Sequence, residues 1–115
     1  MKVLDQMDEE GRVIAFEVSN LFLSRNAVCK LVRSIPGTHI FKADGAFSHF
    51  IEDNFEDEFE DVFCVFSIQG QKFVAWEPFG DNDRFWIGPE PLHWCEQVQV
   101  VRNAFLHHKF FGVLL

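Results

Sequence analysis

The chain contains no tyrosine, although it carries 15 phenylalanines and 3 tryptophans in 115 residues. Aromatic bulk without phenolic hydroxyls is packing material, with few polar handles for a small ligand. Cysteine is scarce too: Cys29, Cys64 and Cys95 are an odd number, widely spaced, with no CxxC pair. That pattern argues against a disulfide framework and for buried thiols in a reducing compartment. Cations are outnumbered, 10 Lys and Arg against 18 Asp and Glu, for a formal charge of −8. Such a balance disfavours nucleic acid, whose phosphates need clustered cations, and anionic membrane surfaces. No run approaches the roughly 18 apolar residues of a membrane span. The opening MKVLDQMDEEG has no apolar stretch of the kind a signal peptide needs. A cytoplasmic protein that binds neither nucleic acid nor membrane is therefore expected.

What is present is core. Hydrophobic residues make up 48% of a chain long enough for one domain, here residues 1–115, with no repeat and no linker. After the turn-like DEEG at 8–11, RVIAFEVS (12–19) alternates as a strand, with Ile14, Phe16 and Val18 on one face. Ser24 is a plausible N-cap for a helix running to Ile35, where Pro36-Gly37 stops it. Its Val28, Leu31, Val32 and Ile35 recur at core-facing spacing. THIFKA (38–43) reads as a short strand.

VFCVFSI (62–68), KFVAWEPF (72–79) and RFWI (84–87) then form a meander, apolar on both faces. QGQ at 69–71 is hairpin chemistry; centred on Gly70–Gln71, it sets Cys64 opposite Glu77. Gly-Pro at 88–89 reads as a breaker. A last helix is expected from Pro91 through Lys109, with Trp94, Val98, Val101 and Phe105 on its core stripe. The resulting fold class is α+β. Its order is β-α-β-(α)-β-β-β-α, an antiparallel-rich sheet of about four to five strands with helices packed on it.

The stretch DGAFSHFIEDNFEDEFED (44–61) is the most unusual. Phe47, Ile51, Phe55 and Phe59 lie four apart, which suits a helix. Glu52, Asp53, Glu56, Asp57, Glu58, Glu60 and Asp61 crowd like charges that repel at i,i+4. Helix near 45–55 followed by an acidic loop is the expectation. A solvated face is the plain reading of that run. The functional reading is an electrostatic docking surface for a basic protein partner. Acids threaded with aromatics are also the composition of small inhibitor- and immunity-type proteins, although no motif accompanies the similarity.

A second surface is WEPFGDNDRFWIGPE (76–90). Its GDND is turn chemistry first. Trp76, Glu77, Asp81, Asp83, Arg84 and Trp86 nevertheless supply aromatics beside charges, the residue types that binding hot spots and pockets use. With an even-numbered loop between the strands, Glu77 and Arg84 share a face and form an ion pair beside Trp86; an odd-numbered loop separates them. A third surface is the apolar end of the chain, Phe110, Phe111, Val113, Leu114 and Leu115, which suits a homo-oligomer interface.

Metal sites fail on spacing. Asp81-Asn82-Asp83 starts like a calcium loop, but Phe85 and Trp86 occupy ligand and glycine positions. His93 and Cys95 diverge on a helix, as do His107 and His108. No GxSxG, phosphate-cradling loop or GxGxxG occurs. Cys95, near His93, is the one thiol with a base close in sequence. No metal, cofactor or catalysis is therefore expected; the leading function is a non-catalytic interaction module, ahead of a pocket-bearing ligand-binding or enzymatic domain and a structural homo-oligomer. If the acidic run docks a basic partner, neutralising Glu56, Asp57, Glu58 and Glu60 together slows association and flattens its salt dependence. Stopped-flow rates unchanged in that variant rule the run out.

Overall fold

Asp8 organises the first hairpin. Its Oδ1 accepts the backbone N–H groups of Glu10 and Arg12, and its Oδ2 accepts from Arg12 Nε, each at 2.9 Å. Gly11 closes the turn with a φ of 80°. A short carboxylate that bonds the backbone just ahead of it is a turn former. These bonds, that from the Arg12 backbone N–H foremost, hold the Asp8 carboxyl below the ordinary carboxylate range. The turn joins β1 (Val3–Met7) to β2 (Val13–Ser19). Strand β1 was not anticipated, because VLDQM interrupts its apolar positions with Asp and Gln.

The computed structural model describes residues 3–19, 23–43, 62–77 and 84–107. After the first hairpin come α1 (Arg25–Arg33), β3 (Thr38–Ala43), β4 (Val62–Ile68), β5 (Gln71–Trp76), β6 (Arg84–Pro89) and α2 (Glu96–His107). Ser24 caps α1 as its sequence suggests, its Oγ accepting the Ala27 N–H at 3.0 Å. All strand pairs are antiparallel, in one six-stranded sheet of order β1-β2-β6-β5-β4-β3. The α+β class therefore stands, with six strands among the described residues instead of about four to five.

Both helices lie on the same side of this sheet. Val28, Leu31 and Val32 of α1 and Val98, Val101 and Phe105 of α2 share one buried cluster with Phe16, Val18, Phe66, Phe73, Phe85 and Ile87. Phe105 meets Phe16 edge-on, with ring centroids 5.4 Å apart. Among the described residues no helix is long and apolar enough to cross a membrane.

Several expectations are corrected. The β4–β5 turn centres on Gln69–Gly70, not Gly70–Gln71; both have positive φ, 52° and 82°, as a type I′ hairpin requires. Cys64 consequently faces Ala75, not Glu77. Gly88 and Pro89 are not a breaker but the end of β6, pairing with Val74 and Phe73. Pro89 is tolerated because the β2 ladder stops at Ile87, so β6 is flanked on one side only there. Helix α2 starts at Glu96, five residues after Pro91. Trp94 thus precedes the helix, stays 40% exposed instead of joining the core, and carries the Arg12 guanidinium 5.2 Å above its ring. The stretch 44–61, with its expected helix, lies outside the described residues.

One ion pair ties the edge strand to the helix layer. Arg102 Nε and Nη2 donate to Asp5 Oδ1 and Oδ2 at 2.7 and 2.8 Å, a planar fork that holds the guanidinium pKa above its ordinary value. Both side chains are mostly shielded, at 24% and 18% exposed. A double-mutant cycle with Asp5→Asn and Arg102→Met should return a coupling of roughly 1 kcal/mol in urea unfolding. A coupling near zero would show that β1 is held by its ladder alone.

Candidate functional site

Two bulges build the outer face of the sheet, the face away from the helices. Strict alternation would place Val62 and Cys64 on one side of β4. The register shifts at Phe63, so Val62 pairs with Trp76 while Cys64 pairs with Ala75. Phe63 and Cys64 both enter the core under the helices, and Val62 turns outward. A matching shift at Phe41 in β3 puts that ring on the same outer side. Val62, Val65 and Val74 form a second apolar cluster there, with Phe41, Trp76 and Trp86 packed against it. A hollow of about 130 Å³ opens among Val62, Val74, Trp76 and Glu90.

Trp76 and Trp86 are directly paired across β5 and β6, their rings edge to face with centroids 6.3 Å apart. Gly88 fixes where the Trp86 indole lies. A Cβ at position 88 would stand 2.5 Å from Trp86 Cη2 and 2.9 Å from Ala15 Cβ. The ring therefore lies back over bare backbone, and its Nε1 reaches across the sheet to Gln6 Oε1 at 3.0 Å. Both tryptophans remain half-buried.

Charged pairs border this aromatic patch. Arg84 Nη1 stands 3.9 Å from Glu17 Oε1, and Lys72 Nζ stands 3.5 Å from Glu90 Oε1. Glu77 is elsewhere. Because Trp76 pairs with Trp86, the loop count is odd, and Glu77 falls on the helix side with Phe73 and Ala75. Its Oε1 accepts Arg25 Nε at 2.5 Å, and the Arg25 guanidinium lies 5.2 Å over the Phe63 ring. Arg25 opens α1, where the helix dipole disfavours a cation; the Glu77 carboxylate offsets that cost.

Of the residues singled out at 76–90, Trp76, Arg84 and Trp86 thus share one face, whereas Glu77 belongs to a clamp on the other. Of the two loop counts that the sequence left open, the odd one holds, and Glu77 pairs with Arg25 while Arg84 pairs with Glu17. Asp81 and Asp83 lie outside the described residues, as do Glu52, Asp53, Glu56, Asp57, Glu58, Glu60 and Asp61. So does the apolar end with Phe110, Phe111, Val113, Leu114 and Leu115. Reasoning on the sequence missed Val62 and Glu90 as neighbours of Trp76: the Phe63 bulge turns Val62 outward, and β6 runs on through Pro89 to bring Glu90 opposite Lys72. Val74, two residues before Trp76 on the same strand, was findable by alternation. Gly88 was findable: a glycine inside an aromatic strand often marks close packing.

The three cysteines are buried thiols. Burial pushes the Cys95 thiol above its ordinary pKa, which suppresses the reactive thiolate. Comparison with family models, curated proteins and solved structures finds no match to this chain.

If Gly88 positions the Trp86 indole, Gly88→Ala destabilises the protein by roughly 1–3 kcal/mol, the cost of overpacking. It should also shift the fluorescence maximum of Trp86, read in a variant whose other tryptophans are phenylalanine. An unchanged unfolding midpoint would show that the ring moves aside without loss.

Proposed function

We propose that this is a small cytoplasmic binding module without chemistry of its own, engaging a basic protein partner through the outer sheet face and the acidic segment 52–61. One observation carries the reading: Trp76 and Trp86 share the sheet face opposite both helices, beside the Arg84–Glu17 and Lys72–Glu90 pairs. Rigid aromatics rimmed by charge are what protein interfaces enrich. The net charge of −8 favours a cationic partner and a fast, salt-sensitive encounter.

The rival reading, a small-molecule or catalytic pocket, has less in its favour. Its presumed acid, Glu77, is held by Arg25 on the opposite side of the sheet from Trp76. The outer hollow, at about 130 Å³, falls below the roughly 300–1,000 Å³ of ordinary ligand sites.

The test is comparative capture from the native cytoplasm, with wild type, Trp76→Ala and Trp86→Ala as baits. Circular dichroism and thermal melting confirm that each variant is folded. A basic protein recovered by wild type, released by raised salt, and bound about tenfold or more weakly by either variant fits a hot spot on this face. A partner held equally by all three baits shows that the outer face is not the interface.

A further inference from the structure

We infer that the hollow among Val62, Val74, Trp76 and Glu90 is the receptor for one long basic side chain, lysine or arginine, presented by the protein partner. The inference rests on reading the outer face as the contact surface and adds what that surface selects. Among the described residues the walls are two valines and an indole, an almost wholly apolar lining, and Glu90 is the ionisable residue at its edge. Lysine and arginine have the matching construction: an apolar stem that lies along hydrophobic surface and a charged head that keeps to the polar end.

Charge complementarity points the same way. The Glu90 side chain is 53% exposed and already draws a cation, the Nζ of Lys72, to 3.5 Å. Lys72 is itself 39% exposed, so the contact is long and solvent-screened, the kind that an incoming ammonium or guanidinium exchanges with at little cost. An acidic side chain would meet Glu90 and a chain of net charge −8. A neutral apolar side chain would cover the valines and gain nothing from the carboxylate. Lys72 thus acts as the resident cation that the partner's side chain displaces.

Three small probes test this by NMR titration: N-acetyl-lysine methylamide, N-acetyl-arginine methylamide, and the uncharged N-acetyl-norleucine methylamide. The signals followed are the Val62 and Val74 methyls and the Trp76 indole N–H. In wild type, a cationic probe should shift these signals and saturate at about two- to fivefold lower concentration than norleucine, the advantage of an exposed ion pair. Glu90→Gln should erase that preference, and Lys72→Met should lower the concentration needed. Both substitutions are at exposed side chains, and an otherwise unchanged spectrum verifies the fold.

Norleucine matching both cations in wild type overturns the inference. So do shifts spread over carboxylates elsewhere and unaltered by Glu90→Gln, which would mark diffuse attraction to an acidic protein. The broader reading fails differently. A captured partner that needs Trp86 but ignores Glu90→Gln removes the hollow and leaves the face; a partner indifferent to both tryptophans removes the face, while the probes still report on the hollow alone.

Discussion

The pairing of β2 with β6 is the contact on which the rest of the molecule depends. It sets Phe16 opposite Ile87 and Val18 opposite Phe85, joining parts of the chain about seventy residues apart. A lone N-terminal hairpin would be marginal in water and gains its stability by joining the four-stranded meander β3–β6. Once zipped, the two become a single sheet whose inner side is wide enough to seat both helices. Phe16 and Val18 then lie against Phe105, Val98 and Val101, and the burial of these side chains is the dominant favourable term. Asp5 and Arg102 extend the same logic to the edge, pinning β1 to α2.

Because side chains alternate along a strand, that one pairing also distributes the side chains of β6 and β5 between two faces. Trp86 follows Phe85 and precedes Ile87, so burying Phe85 and Ile87 under the helices forces Trp86 outward. Trp76, directly opposite, goes with it, and Glu77 goes the other way. The separation of Glu77 from the tryptophans is therefore a consequence of core formation. Its carboxylate serves the N-terminus of α1, where Arg25 stands against the helix dipole.

The bulges at Phe41 and Phe63 change this arithmetic locally. Each inserts one residue and reverses the facing of what lies beyond it. At Phe63 the reversal feeds one more aromatic ring into the inner core, where it packs 5.0 Å from Phe85. It also turns Val62 out beside Trp76. The place of Val62 beside the outer hollow and that of Phe63 in the inner core are thus two results of a single extra residue. The outer face acquires its own apolar cluster, which explains why the meander strands are apolar on both sides.

Local chemistry was legible in the residues themselves: the Ser24 cap and the Val28–Leu31–Val32 stripe of α1, the apolar runs of β4 and β5, the turn around Gly70, and the acidic balance. These depend on neighbours within a few positions, so a local pattern carries them. The partner of each strand, the turn centre at Gln69–Gly70, the bulges, and hence the face on which each side chain lies, were decided by the tertiary structure. The physical reason is the two-residue period of the strand: a slip of a single position sends every side chain to the opposite side, and only the burial achieved by the whole sheet selects between the two registers. Trp76 and Trp86 could be named as candidates from the sequence; that they would face one another, while Glu77 left them and Glu90 joined Trp76, could not.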